Sequence, residues 1–421
     1  MGKPPTGEFR VMLLSYLLRR LIVQGSLRVI DHEGRSHDFT GAPGPTATIR
    51  LHDAAVAREL FLNPRLKLGE AFMDGRVTVE DGTVYDLLDL CGLNLMVAPP
   101  NLLSPLYNGF GRAFRAVQQY NPLGRAQANV AHHYDLSKTL YDLFLDSDRQ
   151  YSCAYFTAPD QSIDTAQAQK KRHLAAKLLL KPGQRVLDIG CGWGGLALYL
   201  AKECEVEVTG LTLSTEQLQV ARHRAAAAGL SERVRFELLD YRQATGQYDR
   251  IVSVGMFEHV GVVHYPTFFR KLRELLATDG VALLHAIGRA DGPGATNPWI
   301  RRYIFPGGYS PALSEVVPVV ERTGLYITDI EVLRLHYAET LKAWRTRFLA
   351  NRERIRGLYD ERFCRMWEFY LAGSEVAFRR QGHIVFQMQM AKQVDAVPLT
   401  RDYIFEWERE HKPPLAADRA A

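Results

Sequence analysis

Residues 186–195 read VLDIGCGWGG, and this stretch decides the fold. An apolar run that closes abruptly on glycines is a strand feeding a tight turn. Glycines at 190, 192 and 195 satisfy G-x-G-x-x-G, a pattern that lets backbone approach a nucleotide closely but is weak alone. Asp188, two residues before the first glycine, sharpens it. A carboxylate there repels a pyrophosphate, whereas it can hold the loop or receive the amino group of a sulfonium nucleotide. A dinucleotide site also wants an acid about 20 residues on, at the end of the next strand, to grip ribose hydroxyls. Here that strand ends VTGLTLSTEQ and offers Thr212, Ser214 and Gln217 instead. The residues favour a sulfonium nucleotide over a dinucleotide. Cys191, with no base near it in sequence, reads as a small packing residue.

Outward from this loop, strand-like and helical runs alternate. RVLDI precedes GLALYLAKE; VEVTGL precedes EQLQVARHRAAAAG; RVRFEL, YDRIVSV, a helix through Phe269–Leu276 and VALLHAI follow. Such alternation predicts a doubly wound, mainly parallel α/β sheet. Ligands bind such sheets outside the carboxyl ends of the strands, so residues just past each strand are the candidates. Glu258 and His259 follow the fourth strand in VGMFEHVG, and His285 follows the fifth in LLHAIG. Ahead of the sheet, the run from His132 to Phe156 carries histidines, tyrosines and Cys153, and LHYAETLKAW adds Tyr337 and Trp344.

A chain of 421 residues exceeds one average domain. Residues 1–105 read as a small mixed α+β domain, with strand-like SLRVID and GRVTVED and a turn at Asp81-Gly82. Prolines 99, 100 and 105 announce a linker or helix over 106–128, and the catalytic unit is expected over 129–421. The formal charge of +5 suits an anionic surface but decides nothing by itself. Five cysteines without metal or redox spacing read as free thiols in a reducing compartment. No cleavage site follows the first apolar run, which argues against a secretory signal. That run, Val11 to Val23, is too short to span a bilayer. It reads either as a helix packed on its own domain or as an interfacial helix with Arg19 and Arg20 near headgroups.

Taken by themselves, several of these residues have ordinary explanations. Glu258 suits a helix start, where an acid complements the macrodipole. His285 at a buried strand end is by default a core histidine, and Cys153 a small buried residue. Lys170, Lys171 and Arg172 read as a solvated helix face. Phe363, Met366, Trp367 and Tyr370 form a helical core stripe, one side of which can line an acyl channel.

Read together, YSCAYF, VLDIGCGWGG, TLSTEQ, FEHVG, LLHAIG, NPWIRRYIFPGG and YLAGSEVAFRRQGHIVFQMQ resemble, in order, the motifs of the cyclopropane-fatty-acyl-phospholipid and mycolic acid cyclopropane synthases. The resemblance spans roughly Asn129 to Lys392 and implies a Rossmann-like class I methyltransferase sheet using S-adenosylmethionine. It implies that Tyr151 and Ser152 contact the methionine part, and that Asp188, Gly190, Cys191, Gly192, Trp193 and Gly194 cradle the cofactor. Thr212, Leu213 and Gln217 would line the ribose, and Tyr241 and Arg242 the adenine. In this family a bicarbonate ion acts as base, and its holders map to Cys153, Glu258, His285, Ile287 through its backbone, and Tyr337. Phe257, Tyr303 and Phe305 fall where aromatic faces would stabilise a carbocation. The substrate implied is the phospholipid acyl chain at the inner face of the membrane, met by a cytoplasmic, peripheral enzyme that binds no nucleic acid and forms a homodimer. One departure is Ser374, where familiar members carry cysteine.

Overall fold

A computed structural model of the chain describes residues 6–97 and 138–411, with side chains from residue 13 onward. The linker expected over 106–128 and the histidines at 132 and 133 lie outside the described residues.

The amino-terminal part pairs a helix, α1 (Thr6–Leu21), with strands β1 (Gln24–Ile30), β2 (Ser36–Thr40), β3 (Ala42–Leu51) and β4 (Val77–Asp81), in sheet order β2-β1-β3-β4. Helices α2 (Ala54–Leu62), α3 (Pro64–Met73) and α4 (Val84–Val97) complete it. Leu14, Leu18 and Ile22 recur at helical spacing and bury against Leu27, Ile49 and Leu51, so α1 packs on its own sheet. Asp53 caps α2 through Ala55 and Val56 N–H and also grips Arg76, tying the helix start to the entry of β4.

The second sheet has seven strands in the order β10-β11-β9-β8-β5-β6-β7. These are β5 (Arg185–Ile189), β6 (Glu207–Thr212), β7 (Val234–Leu238), β8 (Tyr248–Val254), β9 (Leu276–Arg289), β10 (Tyr326–Leu333) and β11 (His383–Ala391). The pairs among β5 to β9 are parallel, while β11 runs antiparallel to both β9 and β10. The doubly wound, mainly parallel expectation holds, and its strands lie where the sequence put them. Strands β10 and β11 were not read from the sequence.

Helices cover both faces: α5 (Lys138–Phe144), α6 (Ile163–Leu178), α7 (Gly195–Glu203), α8 (Thr215–Ala227), α9 (Tyr265–Leu275), α10 (Pro298–Tyr303), α11 (Leu313–Arg322), α12 (His336–Ala350), α13 (Arg352–Leu358), α14 (Glu361–Arg380) and α15 (Asp402–Glu410). One apolar cluster packs α9 and α11 under the sheet around Phe257, Phe268 and Phe269. A second, rich in aromatics, gathers Phe144, Tyr337, Trp344, Trp367 and Tyr370 from α5, α12 and α14. Both sheets meet through α14 and α10. Arg380 forks onto Asp89 of α4, and Arg302 and Tyr303 both reach Glu70 of α3. Trp299 lies so close to Gly69 that a Cβ there would stand 2.5 Å from the indole.

Candidate active site

The loop after β5 does what its glycines promised. Gly190, at φ +87°, and Gly194, at φ +82°, take left-handed backbone that other residues adopt only with strain. Gly190 and Cys191 N–H both donate to Leu211 O, which binds the loop to the neighbouring strand. Above it opens a cleft at the carboxyl ends of β5, β6 and β8. Of the cofactor-binding residues anticipated from sequence, every one but Gly194 lines this cleft: Tyr151, Ser152, Asp188, Gly190, Cys191, Gly192, Trp193, Thr212, Leu213, Gln217, Tyr241 and Arg242. Gly194 instead lets α7 approach its neighbours, since a Cβ there would meet Phe236 at 2.6 Å.

The charges in this cleft are unusual. Asp188 is 1 % exposed, and its Oδ2 has no hydrogen-bond partner among the described residues. Burial raises its pKa to about 7, with the Lys170 ammonium pulling the other way. Asp240 caps the turn holding Tyr241 and forks onto Arg242, fixing both side chains at the rim. Thr212 Oγ1 donates to Gln217 Oε1 at 2.9 Å, and Trp193 Nε1 to Glu216 at 3.0 Å. An unpaired buried carboxylate oxygen calls for an external donor, and a cradle of glycine backbone leaves room for one. The residues therefore fit S-adenosylmethionine, whose amino group or ribose hydroxyls supply such donors.

None of the five residues expected to hold the base lines the cleft; they lie in the buried layer beside it. Cys153 and Tyr337 belong to the aromatic cluster, with Ile287 packed against it. Glu258 Oε1 accepts the Ile287 N–H at 2.6 Å, while its Oε2 is buried without a partner among the described residues. Burial raises the Glu258 pKa to about 7. His285 pairs through Nδ1 with Gln387 at 3.2 Å, and burial holds it far below the usual histidine range, hence neutral. Burial likewise keeps Cys153 a thiol.

The backbone N–H of Ile287 is given to Glu258. Two expectations need correction. Phe257, expected to offer a ring face to a carbocation, is instead packed apart from Tyr303 and Phe305 and stacks on Tyr265 at 4.3 Å under the sheet. Lys170 and Arg172 are buried rather than solvated, at 0 % and 8 % exposure. Of the other two aromatics, Tyr303 bonds Glu70 across the two parts of the chain, and Phe305 stands edge-on to Tyr370 at 5.8 Å. His259, offered from sequence as a residue just past the fourth strand, lines the cleft, whereas sequence reasoning missed Met256 and Gln150 there. It also missed Tyr370 as the hydroxyl partner of Tyr151. Proximity to the FEHVG motif signalled His259; nothing local signalled the others.

A seven-stranded sheet with its one reversed strand beside β9 and β10, and a glycine-lined cleft holding an unpaired acid, define the class of S-adenosylmethionine-dependent methyltransferases. Comparison with known proteins narrows this. The family model of mycolic acid cyclopropane synthetase matches residues 122–388. Cyclopropane-fatty-acyl-phospholipid synthase of Escherichia coli K12 is 37% identical over 353 residues, covering 83% of this chain and 89% of that protein. Tuberculostearic acid methyltransferase UfaA1 of Mycobacterium tuberculosis is 36% identical over 406 residues, covering 92% and 93%. The crystal structure of mycolic acid cyclopropane synthase CmaA1 with SAH and CTAB superposes with a TM-score of 0.61 at 34% identity, over 64% of this chain and 99% of that one. The chain belongs to the mycolic acid cyclopropane synthetase family.

Proposed function

We propose that the chain transfers the methyl group of S-adenosylmethionine to the cis double bond of phospholipid acyl chains and closes a cyclopropane ring, with bicarbonate as base. The observation that carries this reading is the seam between cleft and aromatic layer. Ser152 lines the cleft while Cys153 is buried behind it, and His259 lines it while Glu258 turns inward. A polar nucleoside and an apolar chain can thus be held side by side along this seam.

The cofactor supplies an electrophilic methyl; the chain must do the rest. Asp188 offers its open oxygen to the ligand's donors, and Tyr241 and Arg242 wall the base. An alkene is a poor nucleophile, so alignment carries much of the rate. Trp344 and Phe348, both fully buried, keep water from a cation that hydration would quench. Phe305 and Tyr370 offer ring faces that stabilise it by about 0.5–2 kcal/mol each.

The residues also suit a small oxyanion, because Glu258 Oε2 lacks a donor and a bicarbonate O–H is one. Glu258, the Cys153 thiol, neutral His285 and the Tyr337 hydroxyl would hold it, where it would supply a base that exchanges freely. Ring closure needs a proton removed from the added methyl, and Glu258, whose pKa burial raises to about 7, would share it.

The enzyme would reach lipid from the cytoplasmic membrane surface, as a homodimer; no helix among the described residues is long and apolar enough to cross a membrane. A second reading, methyl- or methylene-branched products, is favoured by the coverage of the tuberculostearic acid methyltransferase, 92% of this chain. Incubation with cis-monounsaturated phospholipid vesicles and cofactor, followed by mass spectrometry of the released acyl chains, tests both. Ring-bearing chains support the first reading and branched chains the second. Unmodified chains refute both.

A further inference from the structure

Lys170 has entered so far only through its pull on Asp188, yet it lies fully buried beside the cleft. It sits on α6 at 0 % exposure, within electrostatic reach of Asp146, Asp148 and Asp188 but hydrogen-bonded to neutral partners. Its ammonium donates to Gln150 Oε1 at 2.6 Å and to Ser152 Oγ at 2.9 Å. Gln167, one turn earlier on the same helix, donates through Nε2 to the Gln150 and Ser152 carbonyls at 3.1 and 2.9 Å. The segment 150–152 is therefore gripped from behind at both side chain and backbone, while its other side lines the cleft.

The chemistry of the grip sets a direction. An ammonium has donors only, so Ser152 Oγ must be the acceptor in that bond. Its own proton is then left to point elsewhere, and no protein acceptor among the described residues takes it. Ser152 stands over the cleft beside Gly255, where a Cβ would lie 3.7 Å from its own. A buried cation repels a sulfonium but attracts a carboxylate, so its useful place is at the carboxylate end of the ligand.

We propose that Lys170 is a positioning residue of the cofactor site: by occupying Ser152 Oγ it turns the Ser152 hydroxyl into the cleft as a donor for the α-carboxylate of S-adenosylmethionine. This rests on the cofactor assignment above. It makes α6, a helix with no residue in the cleft, a determinant of which nucleoside sulfonium the enzyme accepts.

Calorimetry with S-adenosylmethionine and with decarboxylated S-adenosylmethionine, which differ only in that carboxylate, tests it. The wild type should prefer the first. Lys170→Met and Ser152→Ala should each erode the preference by about 10- to 100-fold, the usual cost of a hydrogen bond to a charged group. Combining them should add little. If Lys170→Met fails to fold, Ser152→Ala alone decides, because it leaves the helix untouched. Equal loss of both ligands in these variants would mean a scaffolding role and overturn the proposal. A wild type that binds both ligands equally would overturn it too, whereas a wild type that binds neither refutes the cofactor reading itself.

Discussion

The carboxylate of Glu258 accepts the backbone N–H of Ile287 at 2.6 Å, clamping the turn after β8 to the far end of β9. Both residues lie past the strands that form the floor of the cleft, so the clamp fixes the wall between cofactor and aromatic layer. One oxygen of the acid is spent on this bond and the other is buried and open. A purely structural acid would have no reason to keep the second oxygen dry and unpaired.

Glu258→Gln keeps the acceptor for Ile287 and removes the charge. Turnover should fall by about 10²–10⁴, the span of general-base assistance. Stability should move the other way. A carboxyl whose folded pKa is raised by burial, from 4.5 to about 7, lowers stability as pH climbs through that window. Thermal melts of the ligand-free variant at pH 8 should therefore exceed those of wild type. A variant that is both slower and less stable would mean that Glu258 is mainly a clamp.

Asp188 should make cofactor affinity depend on pH. With its pKa raised to about 7 by burial, the open oxygen is protonated in mild acid and ionised in mild base. Titrations should show S-adenosylmethionine binding strengthening as pH rises through about 7 and then levelling off. Asp188→Asn should bind more weakly and flatten that profile. A profile unchanged in the Asn variant would assign the titration to another group.

Gly69→Ala probes how the two parts of the chain cooperate. Its new Cβ would collide with Trp299, and such overpacking costs about 1–3 kcal/mol. Because Trp299 begins the helix that carries Tyr303 toward Glu70, lipid turnover should drop severalfold while cofactor binding stays intact. Loss of cofactor affinity in a folded variant would show that the two parts are coupled through the nucleotide site.

Stability in acid should hinge on Glu331. It receives both His173 Nε2, at 2.7 Å, and the buried Lys177 ammonium. These partners outweigh burial and depress its pKa from 4.5 to about 2, so the stability it lends is complete above 4.5 and disappears as pH falls toward 2. Glu331→Gln should destabilise by about 1–3 kcal/mol at neutral pH, the worth of a hydrogen bond to a charged group, because Lys177 keeps Asp329 at 3.8 Å. Urea melts should show that gap closing in acid.

The sheet and the nucleotide loop were legible because local signals agree there: strand periodicity, glycines, and polar residues at strand ends. Lys170 was misread for the opposite reason. A charge run on a helix looks solvated, and the partners that let Lys170, His173 and Lys177 be buried come from Gln150, Ser152, Glu331 and Glu408, far off in sequence. Phe257 was misplaced because one residue of rotation in a tight 3-10 turn sends it under the sheet and sends Glu258 above. The residues proposed to hold a base could be named from motif resemblance, but not their layering. Only tertiary contacts place them behind the cleft rather than in it.

The central claim, that a methyl carbon becomes the ring carbon of an acyl cyclopropane, is tested most directly with cofactor bearing a fully deuterated methyl. The enzyme is incubated with cis-monounsaturated phospholipid vesicles, and the acyl products are analysed by mass spectrometry and proton NMR. A cyclopropane methylene that has lost one deuterium of the transferred methyl, with no alkene signal, is the result predicted. A product that retains the whole deuterated methyl as a branch would contradict ring closure, and unlabelled lipid would contradict the methyl transfer itself.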